Sequence, residues 1–315
     1  MRAAQITRFG GSDVLTLVNV DTPAPEAGEV RVAVGATSVN SYDTMLRAGK
    51  LTIVSGRKFP IGIGLDFVGT VDAVGDGVTG FQVGDRVWGQ LHPQQKHRLG
   101  SAAEYVVAAA DRLAAAPTSV SDAGAASLVV AGVTAQLALD TVRIMPGQRL
   151  LVRGAAGGVG TAVVQLDHHA GATVTAIASA RTADTVAALG ADTVLDRASA
   201  TSNAVGLFDA IIDLVGSELL SWHRALAPSG RMVTAALTGA AITAIGLSVI
   251  HGARRIRTFN ANPTTKMLEA LTASVDRGNL RPVIASEHPL VRIRAAHHAF
   301  EAGGVVGKHI VTIAH

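Results

Sequence analysis

The run Arg149-Leu150-Leu151-Val152-Arg153 leads directly into Gly154-Ala155-Ala156-Gly157-Gly158-Val159-Gly160, an apolar stretch that breaks into glycines and then resumes as a helix candidate. A strand, a bare loop and a helix N-terminus in that order make an anion site. The backbone can approach a pyrophosphate, and the free N–H groups and dipole of the helix favour its negative charge. Gly157 and Gly160 stand at the second and third glycine positions of the G-x-G-x-x-G pattern, and Ala155 replaces the first. Ala156, Gly157, Gly158 and Val159 are the expected cradle. The end of the next apolar run, Thr173–Ala178, bears on the choice of nucleotide. A NAD site usually has a carboxylate there for the ribose 2′-hydroxyl, whereas this chain reads Ser179-Ala180-Arg181-Thr182. Ser179 can hydrogen-bond a 2′-phosphate and Arg181 can neutralise it, with Arg197 past the third strand as a second cation. NADPH is the expected cofactor.

Cysteine is absent from the chain. That removes disulfides, thiolate nucleophiles, iron–sulfur clusters and cysteine-ligated zinc together. Chemistry is left to an organic cofactor, to a His/carboxylate metal site, or to ordinary side chains. Of the eleven histidines, His168-His169 and His297-His298 are adjacent pairs, which point apart on a helix, so no metal site is expected.

The elements that must position these residues follow from the pattern. With 315 residues the chain can form two domains, and with 48% hydrophobic against 16% charged residues it folds rather than remaining disordered. A net charge of +3 calls for no nucleic-acid partner. Short β-branched runs at Val30–Val34, Gly69–Val74 and Asp85–Trp88, separated by turn residues, predict a β-rich first domain over 1–120. From residue 121 to 262, strand candidates at Arg149–Arg153, Thr173–Ala178, Thr193–Leu195, Phe208–Leu214, Arg231–Ala236 and Arg255–Phe259 alternate with helix candidates at Val159–Ala170, Thr182–Leu189 and Glu218–Leu226. Such alternation predicts an α/β fold, a doubly wound parallel sheet with helices on both faces. Residues 263–315 add a helix at Thr264–Arg277 and a last strand at His309–Ile313. The N-terminus has no signal-peptide profile, so a cytoplasmic address is expected. Met232 to Ile250 carries no charge over 19 residues, close to a membrane span, but reads as a buried strand followed by an apolar helix, and no membrane partner is expected.

The glycine loop, together with Asn40-Ser41-Tyr42-Asp43, Arg47, Gly49, Pro60-x-x-x-Gly64-x-Asp66-x-x-Gly69-x-Val71, Gly84-Asp85-Arg86-Val87, Ala131-Gly132-Val133-Thr134-Ala135 and Gly307-Lys308, resembles the zinc-independent quinone oxidoreductases of the medium-chain dehydrogenase/reductase superfamily over nearly the whole chain. The resemblance implies a GroES-like β-rich catalytic domain, a Rossmann domain, and a C-terminal segment that returns to the first domain. It implies reduction of a quinone or an α,β-unsaturated carbonyl by hydride transfer from NADPH, with a small hydrophobic substrate and a homodimer. Asn40, Tyr42 and Asp43 become catalytic candidates, and Thr134 and Val215 join the cofactor cradle. Asn40 can donate its amide to the substrate or the cofactor; alternatively, Asn40 and Asp43 only satisfy backbone groups of their turn. The positions that hold catalytic zinc in the superfamily's alcohol dehydrogenases look like Asn40, Gly64-Leu65-Asp66 and Val130, which lack its ligands. Asp66 reads as structural. The basic loop 90–98 reads as a surface loop or as a rim of the substrate pocket. Two other functions share the pattern: an enoyl-thioester reductase, and an NADPH-binding sensor without turnover.

Overall fold

The computed structural model describes residues 1–92, 99–236 and 238–315. The Lys96-His97-Arg98 cluster of the loop named above lies outside the described residues.

The alternation in Glu29–Ser38 puts every second residue in a core and makes this strand the spine of a seven-stranded sheet. The sheet runs Ile284–Pro289, Lys308–Thr312, Glu29–Ser38, Asp66–Val74, Arg86–Gln90, Leu113–Ala115, and Tyr105–Ala109 also pairs with the spine. Two of these strands come from the C-terminus. Lys308–Thr312 is antiparallel to the spine, with Ile310 opposite Ser38 and Val311 opposite Thr37. This sheet is therefore completed by residues from the far end of the chain. A smaller sheet, Leu15–Asn19, Arg2–Ile6 and Ile61–Gly62, flanks it.

The second half is a six-stranded parallel sheet in the order Thr193–Asp196, Thr173–Ala178, Arg149–Arg153, Phe208–Asp213, Leu226–Thr234, Ile256–Arg257. The order reverses beside Arg149–Arg153, the strand that carries the glycine loop, and a ligand crevice belongs at such a reversal. All six strands were legible in the sequence.

One element was not singled out. Helix Asp122–Val142 begins where Ser121 Oγ accepts the Gly124 N–H, and it packs against strands of both sheets and against helix Gly158–His169. It is apolar nearly all round because it is surrounded, so it shows no amphipathic stripe. Among the described residues it is the one helix long and apolar enough to cross a membrane, yet 67% of its apolar window is buried inside the protein. The Met232–Ile250 stretch is the end of a buried strand and the helix Gly239–Ser248.

Candidate active site

The glycine loop lies at the C-terminal edge of the parallel sheet. Gly154 has φ +82°, the left-handed turn that needs glycine, whereas Ala155 does not have a positive φ. That explains how alanine is tolerated at the first fingerprint position: the strained turn sits one residue earlier. A Cβ at Gly160 would lie 2.3 Å from the Gly154 carbonyl oxygen and 2.6 Å from Ala155 Cα, so the helix packs this tightly on its own strand only with glycine there. Gly157 caps helix Gly158–His169 and is exposed, with only the Gly154 oxygen near its missing Cβ, at 3.5 Å. A bare, open loop over a helix N-terminus fits a dinucleotide pyrophosphate.

Val215 stands beside this loop, 3.3 Å from where a Gly154 Cβ would be, and is held by Asp213, whose Oδ1 accepts the N–H groups of Val215 (3.1 Å) and Gly216 (2.6 Å). Asp213 is itself paired with Arg153 in the interior; Arg153 also donates to the Ser217 carbonyl at 2.8 Å and stacks 4.7 Å from the Trp222 ring centroid. Thr134 is buried on the central helix. After the next strand, Ser179 Oγ is 2.9 Å from Thr182 Oγ1, and Arg181 extends beside Gly304. The Arg197 N–H donates to the Ala178 carbonyl (2.8 Å), so Arg197 starts from the same strand end. Both arginine side chains are exposed.

Asn40 and its neighbours form a closed buried network. The Asn40 amide nitrogen donates to the Ser38 carbonyl (3.1 Å) and to Asp66 Oδ2 (3.2 Å), while its Oδ1 accepts Lys308 Nζ at 2.5 Å. Asp66 also accepts the Ser38 N–H (2.8 Å), the Ser38 hydroxyl (2.5 Å) and the Thr37 hydroxyl (3.2 Å). Asp43, fully buried, accepts the Asn40 N–H at 2.8 Å and the Gly64 N–H at 3.1 Å. The first of these is half of a capping box at the start of helix Ser41–Arg47. Burial and the nearby Asp66 push the Asp43 carboxyl up to about 7, against the pull of those N–H groups and of Lys308. Both amide hydrogens of Asn40 and both oxygens of Asp43 are thus engaged inside the protein; what they hold in position is the next turn of helix.

That turn carries Tyr42. Its side chain lines a small cavity of about 40 Å³ with Leu46, Ile61, Gly64, Leu65, Leu91 and His92. Burial, reinforced by Asp43, pushes the phenol up to about 12, so it keeps its proton at neutral pH. Of the three candidates, Tyr42 is the one that lines this cavity.

Lys308 was visible in the sequence only as part of a motif. A lysine at the first position of a buried strand is the signal that marks it: a cation cannot sit there without partners waiting. Gly307, just before it, donates its N–H to the Ala156 carbonyl at 2.9 Å, which ties the C-terminal strand to the glycine loop.

Residues 26–118 match the family model described as the alcohol dehydrogenase GroES-like domain, and residues 189–311 match the one described as zinc-binding dehydrogenase. The chain is 32% identical over 329 residues to the chloroplastic quinone-oxidoreductase homolog of Spinacia oleracea, covering 99% of this chain and 98% of that protein. It is 31% identical over 320 residues to the 2-methylene-furan-3-one reductase of Solanum lycopersicum, covering 99% and 79%. The solved structure of the quinone oxidoreductase from Coxiella burnetii superposes with a TM-score of 0.91 at 30% identity, over 100% of this chain and 99% of that one.

Proposed function

Since this chain belongs to the quinone oxidoreductase group of the medium-chain dehydrogenase/reductase superfamily, we propose that it is an NADPH-dependent reductase of quinones or α,β-unsaturated carbonyls that works without zinc. The observation that carries this reading is the closed network around Asn40 and Asp66. Asn40 is spent on Ser38, Asp66 and Lys308, and Asp66 on Ser38, Thr37 and Asn40. Val130, at the remaining position, is an apolar residue packed in the β-domain core. An ammonium already stands among these groups. The donor set does not fit a tetrahedral zinc ion.

A nicotinamide cofactor, when bound, supplies the hydride. The chain's part is binding, orientation and charge. Ala156, Gly157, Gly158 and Val159 present the helix N-terminus to the pyrophosphate, with Thr134 and Val215 as walls of the crevice. Ser179, Arg181 and Arg197 meet the 2′-phosphate. Tyr42 keeps its proton and donates a hydrogen bond to the substrate's carbonyl oxygen as charge develops there. Asn40 and Asp43 hold the Tyr42 helix against the crevice. The small cavity beside Tyr42 suits the edge of a compact apolar ring or an enone.

The strand Ile256–Arg257 is one of the two edges of the parallel sheet, and Ile242, Leu247, Val249 and Ile250 are exposed on the segment that precedes it. A second copy covering that edge makes a homodimer, and sedimentation that gives a concentration-independent monomer rejects it.

NADPH and NADH titrations followed by cofactor fluorescence test the cofactor choice. NADPH is expected to bind at least 10-fold tighter, and Arg181→Ala to remove most of that preference. Equal binding of the two overturns the choice. Oxidation of NADPH in the presence of 1,2-naphthoquinone, an alkenal and an enoyl-CoA separates the reductases of small carbonyls from those of thioesters, and tight binding with no turnover on any of them identifies a sensor.

A further inference from the structure

We propose that Lys308 is a positioning residue that couples occupation of the glycine loop to the substrate wall. The proposal rests on the functional reading above and deepens it.

The side chain touches both halves of the site. Lys308 is 6% exposed. A Cβ built on Gly158 would lie 2.3 Å from Lys308 Cδ and 2.7 Å from Cγ, so the lysine stem lies directly on the bare backbone at the start of the glycine-loop helix. This contact requires glycine at 158, separately from any demand of a nucleotide. At its other end the ammonium donates to the Val39 carbonyl (2.9 Å) and to Asn40 Oδ1 (2.5 Å). Asn40 then caps the helix Ser41–Arg47, which presents Tyr42 to the cavity. The path from phosphate cradle to substrate wall is thus one side chain and one hydrogen-bonded amide long.

The backbone beside it fixes the geometry. The Gly307 N–H bonds the Ala156 carbonyl, and the Lys308 N–H bonds the Val283 carbonyl at 2.9 Å, so the root of the lysine cannot slide away from the loop. A buried ammonium with two neutral acceptors is stable only near compensating charge, which Asp43 and Asp66 supply. Burial lowers the lysine's pKa below its ordinary value, and these two carboxylates offset part of that shift. The cation is therefore held in place by the residues it orders: displacing the stem at Gly158 moves the ammonium, and with it Asn40 and the helix that Asn40 caps.

Binding energetics test the coupling without turnover, because NADP⁺ and a quinone are both oxidised and do not react. The zero-cysteine chain offers the quinone no thiol to alkylate. 1,2-Naphthoquinone is titrated into the full chain with and without saturating NADP⁺. In the wild type, NADP⁺ is expected to tighten quinone binding at least 5-fold. In Lys308→Met, which keeps the stem and removes the ammonium, the ratio is expected to fall below 2-fold while NADP⁺ alone binds within about 3-fold of wild type. A merely structural lysine would change both affinities and leave their ratio intact, and a Lys308→Met protein that keeps the wild-type ratio overturns the proposal. A measurement on the wild type alone stands independently of whether the variant folds: amide hydrogen exchange in residues 41–47 is expected to slow when NADP⁺ is added, and unchanged exchange with NADP⁺ demonstrably bound overturns the coupling. Wild-type protein that binds neither NADP⁺ nor NAD⁺ overturns the functional reading itself, which separates that failure from failure of the coupling.

Discussion

The Arg153–Asp213 pair holds the Val215–Gly216 turn beside the glycine loop, and replacing Asp213 by Asn isolates its contribution. Side-chain exposure is 6% for Arg153 and 0% for Asp213, so the two charges have little water to turn to. Asn at 213 can still accept the Val215 and Gly216 N–H groups through its oxygen. Its amide nitrogen, however, then faces the Arg153 guanidinium, donor against donor. The Ser217 carbonyl, the Trp222 ring and the nearby Glu218 carboxylate remain to Arg153, and none of them replaces the direct pair. Removing one partner of a buried pair in this way costs about 3–5 kcal/mol, most of it from the stranded charge. The thermal midpoint should fall by on the order of 10 °C. Urea denaturation followed by tryptophan fluorescence measures it, with Trp222 itself as a reporter on the guanidinium. The variant with both charges removed, Arg153→Met with Asp213→Leu, should recover roughly half the loss, because no charge is left unpaired although two N–H groups lose their acceptor. If Asp213→Asn unfolds within about 1 kcal/mol of wild type, or if the two single losses simply add, the pair does not act as argued and the Val215 loop owes its shape to something else.

Gly160→Ala puts a methyl 2.3 Å from a backbone oxygen that cannot move independently of its strand; the strain, about 1–3 kcal/mol, should weaken NADPH binding at least 10-fold, and a normal NADPH titration would contradict it. Tyr42→Phe keeps the wall of the cavity and removes its donor, so kcat/KM for 1,2-naphthoquinone should fall about 100-fold while the NADPH Kd stays unchanged; an unaltered kcat/KM removes Tyr42 from the chemistry. Asp167 is buried on the glycine-loop helix with no hydrogen-bond partner for Oδ2, and burial pushes its carboxyl from 3.8 to about 6. A folded-state value above the unfolded one means that its contribution is most favourable at low pH and is lost as pH rises through 6. Asp167→Asn should therefore gain about 1–2 kcal/mol on wild type between pH 5 and pH 7.5, and parallel stability curves for the two proteins would refute the assignment.

How far the sequence could be read differed between the two halves of the molecule for a physical reason. The parallel strands are short apolar runs bounded by glycine and polar turns, so each announces itself locally, and Arg149–Arg153 was exact. In the seven-stranded sheet the edge strands Leu113–Ala115 and Ile284–Pro289 are short or half-buried, and they are strands because Arg86–Gln90 and Lys308–Thr312 pair with them. The central helix escaped notice because burial on all sides erases the periodicity by which helices are recognised. For the candidate site, the strand, glycine loop and helix order was legible, since glycine directly marks the bare backbone that opens a helix. Asn40, Tyr42 and Asp43 were legible as a cluster, but not in their division of labour. Nothing in their spacing says that Asp66, 26 residues on, and Lys308, 268 residues on, consume the Asn40 amide, or that Tyr42 is the one that lines the cavity.

That division follows from the order in which buried groups must be satisfied. A buried ammonium needs acceptors before anything else, because an unpaired cation is the most expensive group in the site. Lys308 takes the nearest neutral oxygens, Val39 and Asn40 Oδ1, which forces the Asn40 amide nitrogen toward Ser38 and Asp66. With Asn40 thus fixed, Asp43 closes on the Asn40 and Gly64 N–H groups, and the helix start is set. Tyr42, on the first turn of that helix, makes no hydrogen bond within this network, feels it only through the nearby Asp43, and lines the cavity. A change at Lys308 should consequently reach Tyr42, whereas Tyr42→Phe should leave the network unchanged. Transfer of the effect in one direction only, read as an altered amide-exchange rate in residues 41–47 for Lys308→Met and an unaltered one for Tyr42→Phe, distinguishes this hierarchy from a set of mutually supporting contacts, in which both variants would loosen the helix alike.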